Sequence, residues 1–316
     1  MILELLLYIV TFIAAFFIII KAADYFVDEA AYLGTKFGMS KLMIGLTIVA
    51  IGTSLPELIT SLGAIFFTEN FSDFLIGTAM GSNITNVLLA FGLFLIYAKT
   101  FTIEKKETFN ALVLLLTTVV FSFFIMQGYV PFISILFIPL YAFYVYYQSK
   151  ESKKQIIKEE KLMVENLEEH PKFQSIGVLL LSFIFIFIGA KLVIFSIENA
   201  GVLLDIPAAY LTLTTIALAT SLPEIAVTLS SAKKKEYLIG IGNILGTNIM
   251  NICLILGFSG LTFGYSVNSE IYLLSVILFL ISTIIFSAML IRKKFYFSVG
   301  VIFLILYAIY ILQFIF

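Results

Sequence analysis

The chain has 316 residues, of which 61% are apolar and only 12% charged, with a mean hydropathy of +1.10. A soluble domain is roughly a quarter charged, so a water-soluble globule is excluded. The net charge of −1 offers no basic field for nucleic acid. One cysteine, Cys253, and one histidine, His170, leave no disulfide framework and little material for a zinc site or a Ser-His-Asp triad.

Hydropathy marks ten apolar segments, at residues 2–20, 42–67, 74–98, 109–126, 130–147, 175–197, 207–231, 238–262, 271–291 and 296–316. Each matches, or nearly matches, the length needed to cross ~30 Å of hydrocarbon at about 1.5 Å per residue. The first lacks a basic leader and a small-residue cleavage site and runs on toward Asp24 and Asp28, so it is expected to be a retained helix. Trp is absent, which leaves the 16 Tyr to anchor the interfaces.

The basic residues alternate with the spans. Loop 1 carries Lys36 and Lys41; loop 3 carries Lys99, Lys105 and Lys106. Loop 5 carries Lys150, Lys153, Lys154, Lys158, Lys161 and Lys172. Loop 7 holds Lys233, Lys234 and Lys235, and loop 9 holds Arg292, Lys293 and Lys294. Of the 19 basic residues only Lys21 and Lys191 lie elsewhere, inside spans. The even loops are mildly acidic, with Glu69, Asp73, Asp205 and Glu270. By the positive-inside rule the odd loops are cytoplasmic and both termini external, in a multi-pass protein of the cell membrane.

Loop 5, residues 148–174, is the one long hydrophilic stretch (KESKKQIIKEEKLMVENLEEH) and reads as a solvated linker or short cytoplasmic helix. It separates residues 1–147 from residues 175–316, five spans each. GTSLPE at 52–57 returns as ATSLPE at 219–224, and GSNITN at 81–86 as GTNIMN at 246–251. The two offsets, 219 − 52 = 167 and 246 − 81 = 165, keep the motifs in order and spacing. An odd number of spans per half inverts the second half. The expected fold is an all-α polytopic membrane protein, ten transmembrane helices forming two inverted five-helix repeats. Such folds place a substrate site near the midplane.

The repeated motifs put acids inside spans. A glutamate at the bilayer centre costs ~3 kcal/mol on insertion scales, whereas each neighbouring Leu or Ile returns only ~0.3–0.6. A structural Glu bonded to a neighbouring helix would explain one such residue, but Glu57 and Glu224 share their flanking residues, which favours function. Thr53 and Glu57 are i,i+4 and share a helix face, as do Thr220 and Glu224, Ser82 and Asn86, and Thr247 and Asn251. Ser54 and Ser221 add hydroxyls. Pro56 and Pro223 each remove a backbone donor and are expected to kink their helices, freeing carbonyls such as those of Ala50 and Ala217. These donors are all hard oxygen, which suits Ca²⁺ and Na⁺ and disfavours Zn and Cu.

These four motifs resemble those of the cation/Ca²⁺ antiporter superfamily, in particular its prokaryotic sodium/calcium exchangers, over essentially the whole chain. The resemblance implies Ca²⁺ and Na⁺ as substrates, the lipid bilayer as surroundings, no cofactor, no nucleic acid and no enzymatic activity; it identifies no protein partner. It implies that Glu57 and Glu224 are the main Ca²⁺ ligands, assisted by Thr53 and Thr220. Ser54, Ser82, Asn86, Ser221, Thr247 and Asn251, with the carbonyls of Ala50 and Ala217, would complete Na⁺ sites. Two positions depart from the family pattern: Asn251, where many exchangers carry Asp, and Ala219, where the motif has Gly. The leading expectation is Na⁺/Ca²⁺ exchange by alternating access; the alternative is Ca²⁺/H⁺ or other cation/proton exchange, since buried glutamates also carry protons.

Overall fold

The computed structural model describes residues 2–67, 71–163, 172–204 and 208–312. It is all-helical apart from four two-residue strands. In chain order the helical segments are α1 (Ile2–Lys36), α2 (residues 41–67), α3 (71–98), α4 (Thr108–Met126), α5 (132–163), α6 (Lys172–Leu203), α7 (Ala208–Lys233), α8 (237–262), α9 (269–292) and α10 (Phe297–Leu312). Eight of the described segments are long and apolar enough to cross a membrane, and α10 is a shorter apolar helix. This is a membrane protein. Its outward faces show the lipid-side pattern: Leu3, Phe17, Leu116, Phe143, Leu180, Ile284 and Ile305 are all exposed.

α1 is longer than hydropathy indicates, extending past residue 20 to Lys36. Its polar end is supported by other elements: Lys233 reaches Asp24 and Lys234 reaches Asp28, both at 2.7 Å, and Ser230 donates to Asp24 at 2.7 Å. α5 likewise continues beyond its apolar run to Met163, into the Lys/Glu-rich stretch. Ser152 on that extension accepts from the Ser40 backbone at 2.7 Å, next to the start of α2.

Pro56 and Pro223 do not interrupt their helices; the α-helical pattern runs through both, over Ala50–Phe67 and Ala208–Lys233. Departures from α-helical bonding fall elsewhere, as π turns at Gly45–Val49 in α2, Asn86–Ala90 in α3 and Asn251–Ile255 in α8. The last two begin on the corresponding asparagines of the repeated motifs. A π turn widens the helix locally and redirects side chains, a device frequent at functional sites.

α2 and α8 cross backbone to backbone. A Cβ on Gly45 would lie 2.3 Å from the Ile239 carbonyl oxygen, and one on Gly242 2.5 Å from that of Leu42. Only glycine permits this approach. The main apolar core lies among α3, α4, α5, α8, α9 and α10, and includes Phe91 edge-on to Phe286 at 4.7 Å. α1 packs along α6 and α7 in two smaller clusters, around Phe26, Ile186 and Val227 and around Ile19 and Val193.

Two short antiparallel ladders tie loops together. β1 (Phe101–Thr102), after α3, pairs with β4 (Lys294–Phe295), between α9 and α10. β2 (Tyr129–Val130), after α4, pairs with β3 (Tyr265–Ser266), after α8.

Candidate cation site

The four motifs meet in the interior. α2 brings Thr53, Ser54 and Glu57, and α7 brings Ser221 and Glu224; α3 brings Ser82 and Asn86, and α8 brings Thr247 and Asn251. All nine side chains are buried, and both glutamates are 0% exposed. Ala217 and Thr220 lie on α7, but their side chains fall outside the described residues.

Hydrogen bonds cross between the halves. Ser54 donates to Glu224 Oε1 at 2.9 Å and lies 3.2 Å from the Thr247 hydroxyl. Ser221 donates to Ser82 at 3.4 Å, and Asn251 Nδ2 donates to Ser82 at 3.3 Å. Thr53 donates to Asn243 Oδ1 at 3.3 Å and lies 3.4 Å from the Ala50 carbonyl oxygen.

Several buried oxygens have no hydrogen-bond partner among the described residues: both carboxylate oxygens of Glu57, Oε2 of Glu224 and Oδ1 of Asn86. Leaving a buried acceptor unpaired costs about 1–3 kcal/mol, and more when it is charged. Four such atoms at one place define a demand for a cation or a proton. Among the described residues no group of three or more His, Cys, Asp or Glu exists. A cation here would therefore be held by two carboxylates completed with amide, hydroxyl and carbonyl oxygens. That donor set fits Ca²⁺, which takes 6–8 oxygens, and Na⁺.

Four neighbours of the site were not anticipated from the sequence. Asn83 and Asn248 bond each other's backbones between α3 and α8, and Asn243 links Thr53 to Thr228, accepting from one and donating to the other at 2.9 Å. The repetition of GSN and GTN inside the two motifs was the available signal for the first pair. Asn243 and Thr228 carried none, because they stand outside the motifs.

The fold and this interior define a polytopic membrane protein with a buried cluster of oxygen donors contributed by four helices. The chain belongs to the sodium/calcium exchanger family: the profile described as "Sodium/calcium exchanger protein" matches residues 7–150 and 174–316. It is thus a member of the cation/Ca²⁺ antiporter superfamily, a family of transporters and not of enzymes. Inner membrane protein YrbG of Escherichia coli is 32% identical over 296 residues, covering 89% of this chain and 88% of that protein. Sodium/calcium exchanger MaX1 of Methanosarcina acetivorans is 31% identical over 288 residues, covering 79% of this chain and 81% of that protein. Among solved structures, the sodium-calcium exchanger NCX_Mj soaked with Na⁺ and Sr²⁺ superposes with a TM-score of 0.81 at 27% identity, covering 96% of this chain and 98% of that one.

Proposed function

We propose that the chain exchanges Ca²⁺ for Na⁺ by alternating access at this site. The observation that carries the reading is Glu57, a fully buried carboxylate with both oxygens unpartnered among the described residues, near a second buried carboxylate from the other half, which Ser54 of Glu57's own helix reaches. Transport follows if the site is presented to each side in turn; either one Ca²⁺ or several Na⁺ then neutralises the acids, and the loaded form reorients. Proton coupling is the second reading, since the same unpartnered carboxylates could take H⁺ instead of Na⁺. ⁴⁵Ca²⁺ flux in proteoliposomes, with Na⁺, K⁺ and pH gradients imposed separately, decides between them. An imposed Na⁺ gradient is expected to drive Ca²⁺ at constant pH; uptake driven only by a pH gradient would replace this reading with Ca²⁺/H⁺ exchange.

The architecture belongs to the same proposal: ten spans as inverted repeats 1–147 and 175–316, joined by the cytoplasmic linker 148–174, with both termini outside the cell membrane. An inverted repeat exchanges loop 3 with loop 8 and loop 4 with loop 9. The β1–β4 ladder (loops 3 and 9) and the β2–β3 ladder (loops 8 and 4) are related by that exchange, which supports the reading. On a Cys253→Ser background, cysteines at Lys105 and Lys235 should resist impermeant maleimide added to intact cells, and one at Glu270 should react. The reverse pattern would invert the topology.

A further inference from the structure

The site-facing asparagines owe their orientation to two backbone carbonyls. Asn248 Nδ2 donates to the carbonyl oxygen of Asn83 at 3.3 Å. A carbonyl only accepts, so the end of the Asn248 amide at that point must be nitrogen. Its Oδ1 is thereby turned to Asn86, whose Nδ2 donates to it at 3.1 Å. With its nitrogen committed there, Asn86 is left with a buried Oδ1 that has no hydrogen-bond partner among the described residues.

The same logic runs in the other direction. Asn83 Nδ2 donates to the carbonyl oxygen of Asn248 at 3.1 Å, so Asn83 Oδ1 faces Asn251 and accepts from its Nδ2 at 3.3 Å. Asn251 Nδ2 also donates to Ser82. Each amide is fixed by the next, and each chain of donors ends on a backbone oxygen that cannot flip. All four side chains are buried, so water does not compete for these bonds.

We propose that Asn83 and Asn248 are positioning residues for cation binding: Asn248 acts through Asn86, and Asn83 through Asn251, holding an amide oxygen of each toward the transported ion. This rests on the reading that the site binds Ca²⁺. It gives the second and third positions of the G-[ST]-N unit different work, the hydroxyl beside the site and the asparagine behind it.

The test is the half-saturating Ca²⁺ of ⁴⁵Ca²⁺ uptake in proteoliposomes, measured as a double-mutant cycle. Leu has the same heavy-atom branching as Asn but is bulkier, so Asn83→Leu and Asn248→Leu remove the amide while keeping the shape of the side chain. Each is expected to raise the half-saturating concentration about tenfold, the effect of a released ligand oxygen. In an Asn251→Ala background Asn83→Leu should add less than about twofold, because its partner is gone; Asn248→Leu in Asn86→Ala should behave alike.

A purely structural role would lower the maximal rate with the amount of folded protein and leave half-saturation unchanged, which would overturn the proposal. So would single effects that multiply in the doubles. If Asn86→Ala and Asn251→Ala themselves leave half-saturation unchanged, the site reading falls with it. Should the Leu variants fail to insert, Asn83→Ser and Asn248→Ser, read by the Ca²⁺-induced shift in thermal unfolding in detergent, are expected to show the same ordering. Equal shifts in wild type and Ser variants would refute the proposal.

Discussion

Glu57 and Glu224 stand at the same place in two copies of one motif, yet their surroundings differ. Ser54 of the first motif reaches across to Glu224 at 2.9 Å. Ser221, its counterpart in the second motif, turns instead to Ser82 at 3.4 Å, and among the described residues Glu57 has no donor. The asymmetry continues outward. Thr53 is held by Asn243, whereas the residue corresponding to Asn243 by the 165-residue offset is Thr78, a shorter side chain with no amide. Among the described residues a repeated sequence thus gives Glu224 a hydroxyl donor and Glu57 none. Glu57 is the group with the most to gain from a cation, and Glu224 the one already oriented for it.

The largest effect should come from removing either charge. Glu57→Gln and Glu224→Gln keep the side-chain size and are cheaper to insert in lipid, so folded protein should persist. A divalent ion loses one of two countercharges in each, and Ca²⁺ transport should fall on the order of a hundredfold or more. Residual transport near wild type in Glu57→Gln would show that the unpartnered carboxylate is not a ligand and would undo the comparison at its root.

The serines test the asymmetry itself. Ser54→Ala removes a hydrogen bond to an acid, an interaction worth about 1.5–3 kcal/mol, and should raise half-saturating Ca²⁺ roughly tenfold or more. Ser221→Ala removes a 3.4 Å contact between hydroxyls, at the limit of hydrogen-bond geometry, and should change it by about twofold or less. Equal effects would mean that the two halves are functionally equivalent and that the observed difference has no consequence for binding.

The contrast also marks what the sequence could convey. The ten apolar runs correspond in order to the ten helical segments, because lipid forces every backbone group to pair within its own segment. The two glutamates stood out because nothing local explains a carboxylate there. The bonds that distinguish them did not stand out, since Ser54 and Ser221 are the same residue in the same pentapeptide. Which one meets a glutamate depends on how α2, α7, α3 and α8 cross, and that is set by contacts such as Gly45 on Gly242. Pro56 and Pro223 sit inside unbroken helical runs. Their local effect is real, but here the departure from α-helical bonding falls at the π turns starting on Gly45, Asn86 and Asn251. The end of α1 was underestimated because Asp24 and Asp28 find their cations more than 200 residues away.

Those ion pairs carry the smallest predicted effect and extend the comparison from the site to the helices around it. Residues 21–34 of α1 and 191–204 of α6 share a register, with Lys21 matching Lys191, Asp28 matching Glu198 and Ala30 matching Ala200. Asp24, however, corresponds to Ile194. On the odd-loop side Lys233 and Lys234 pin α1, and Lys41 pairs with Glu236 at 2.8 Å. Among the described residues Glu198 makes no ion pair. The pins therefore act on one face, and Phe26 lies between the two pinned acids, its ring 3.0 Å from where a Cβ on Gly52 would sit. Neutralising Lys233 and Lys234 together should loosen α1 on that face alone and alter the ratio of exchange rates measured in the two directions. Each pair has one exposed and one partly buried partner, so the change should be a few-fold at most. It should also vanish as salt is raised, because the screening length falls from about 10 Å at 0.1 M to about 3 Å at 1 M. A directional change that survives high salt would have to come from packing and not from charge, and no change at low salt would make these pairs incidental to the asymmetry of the cycle.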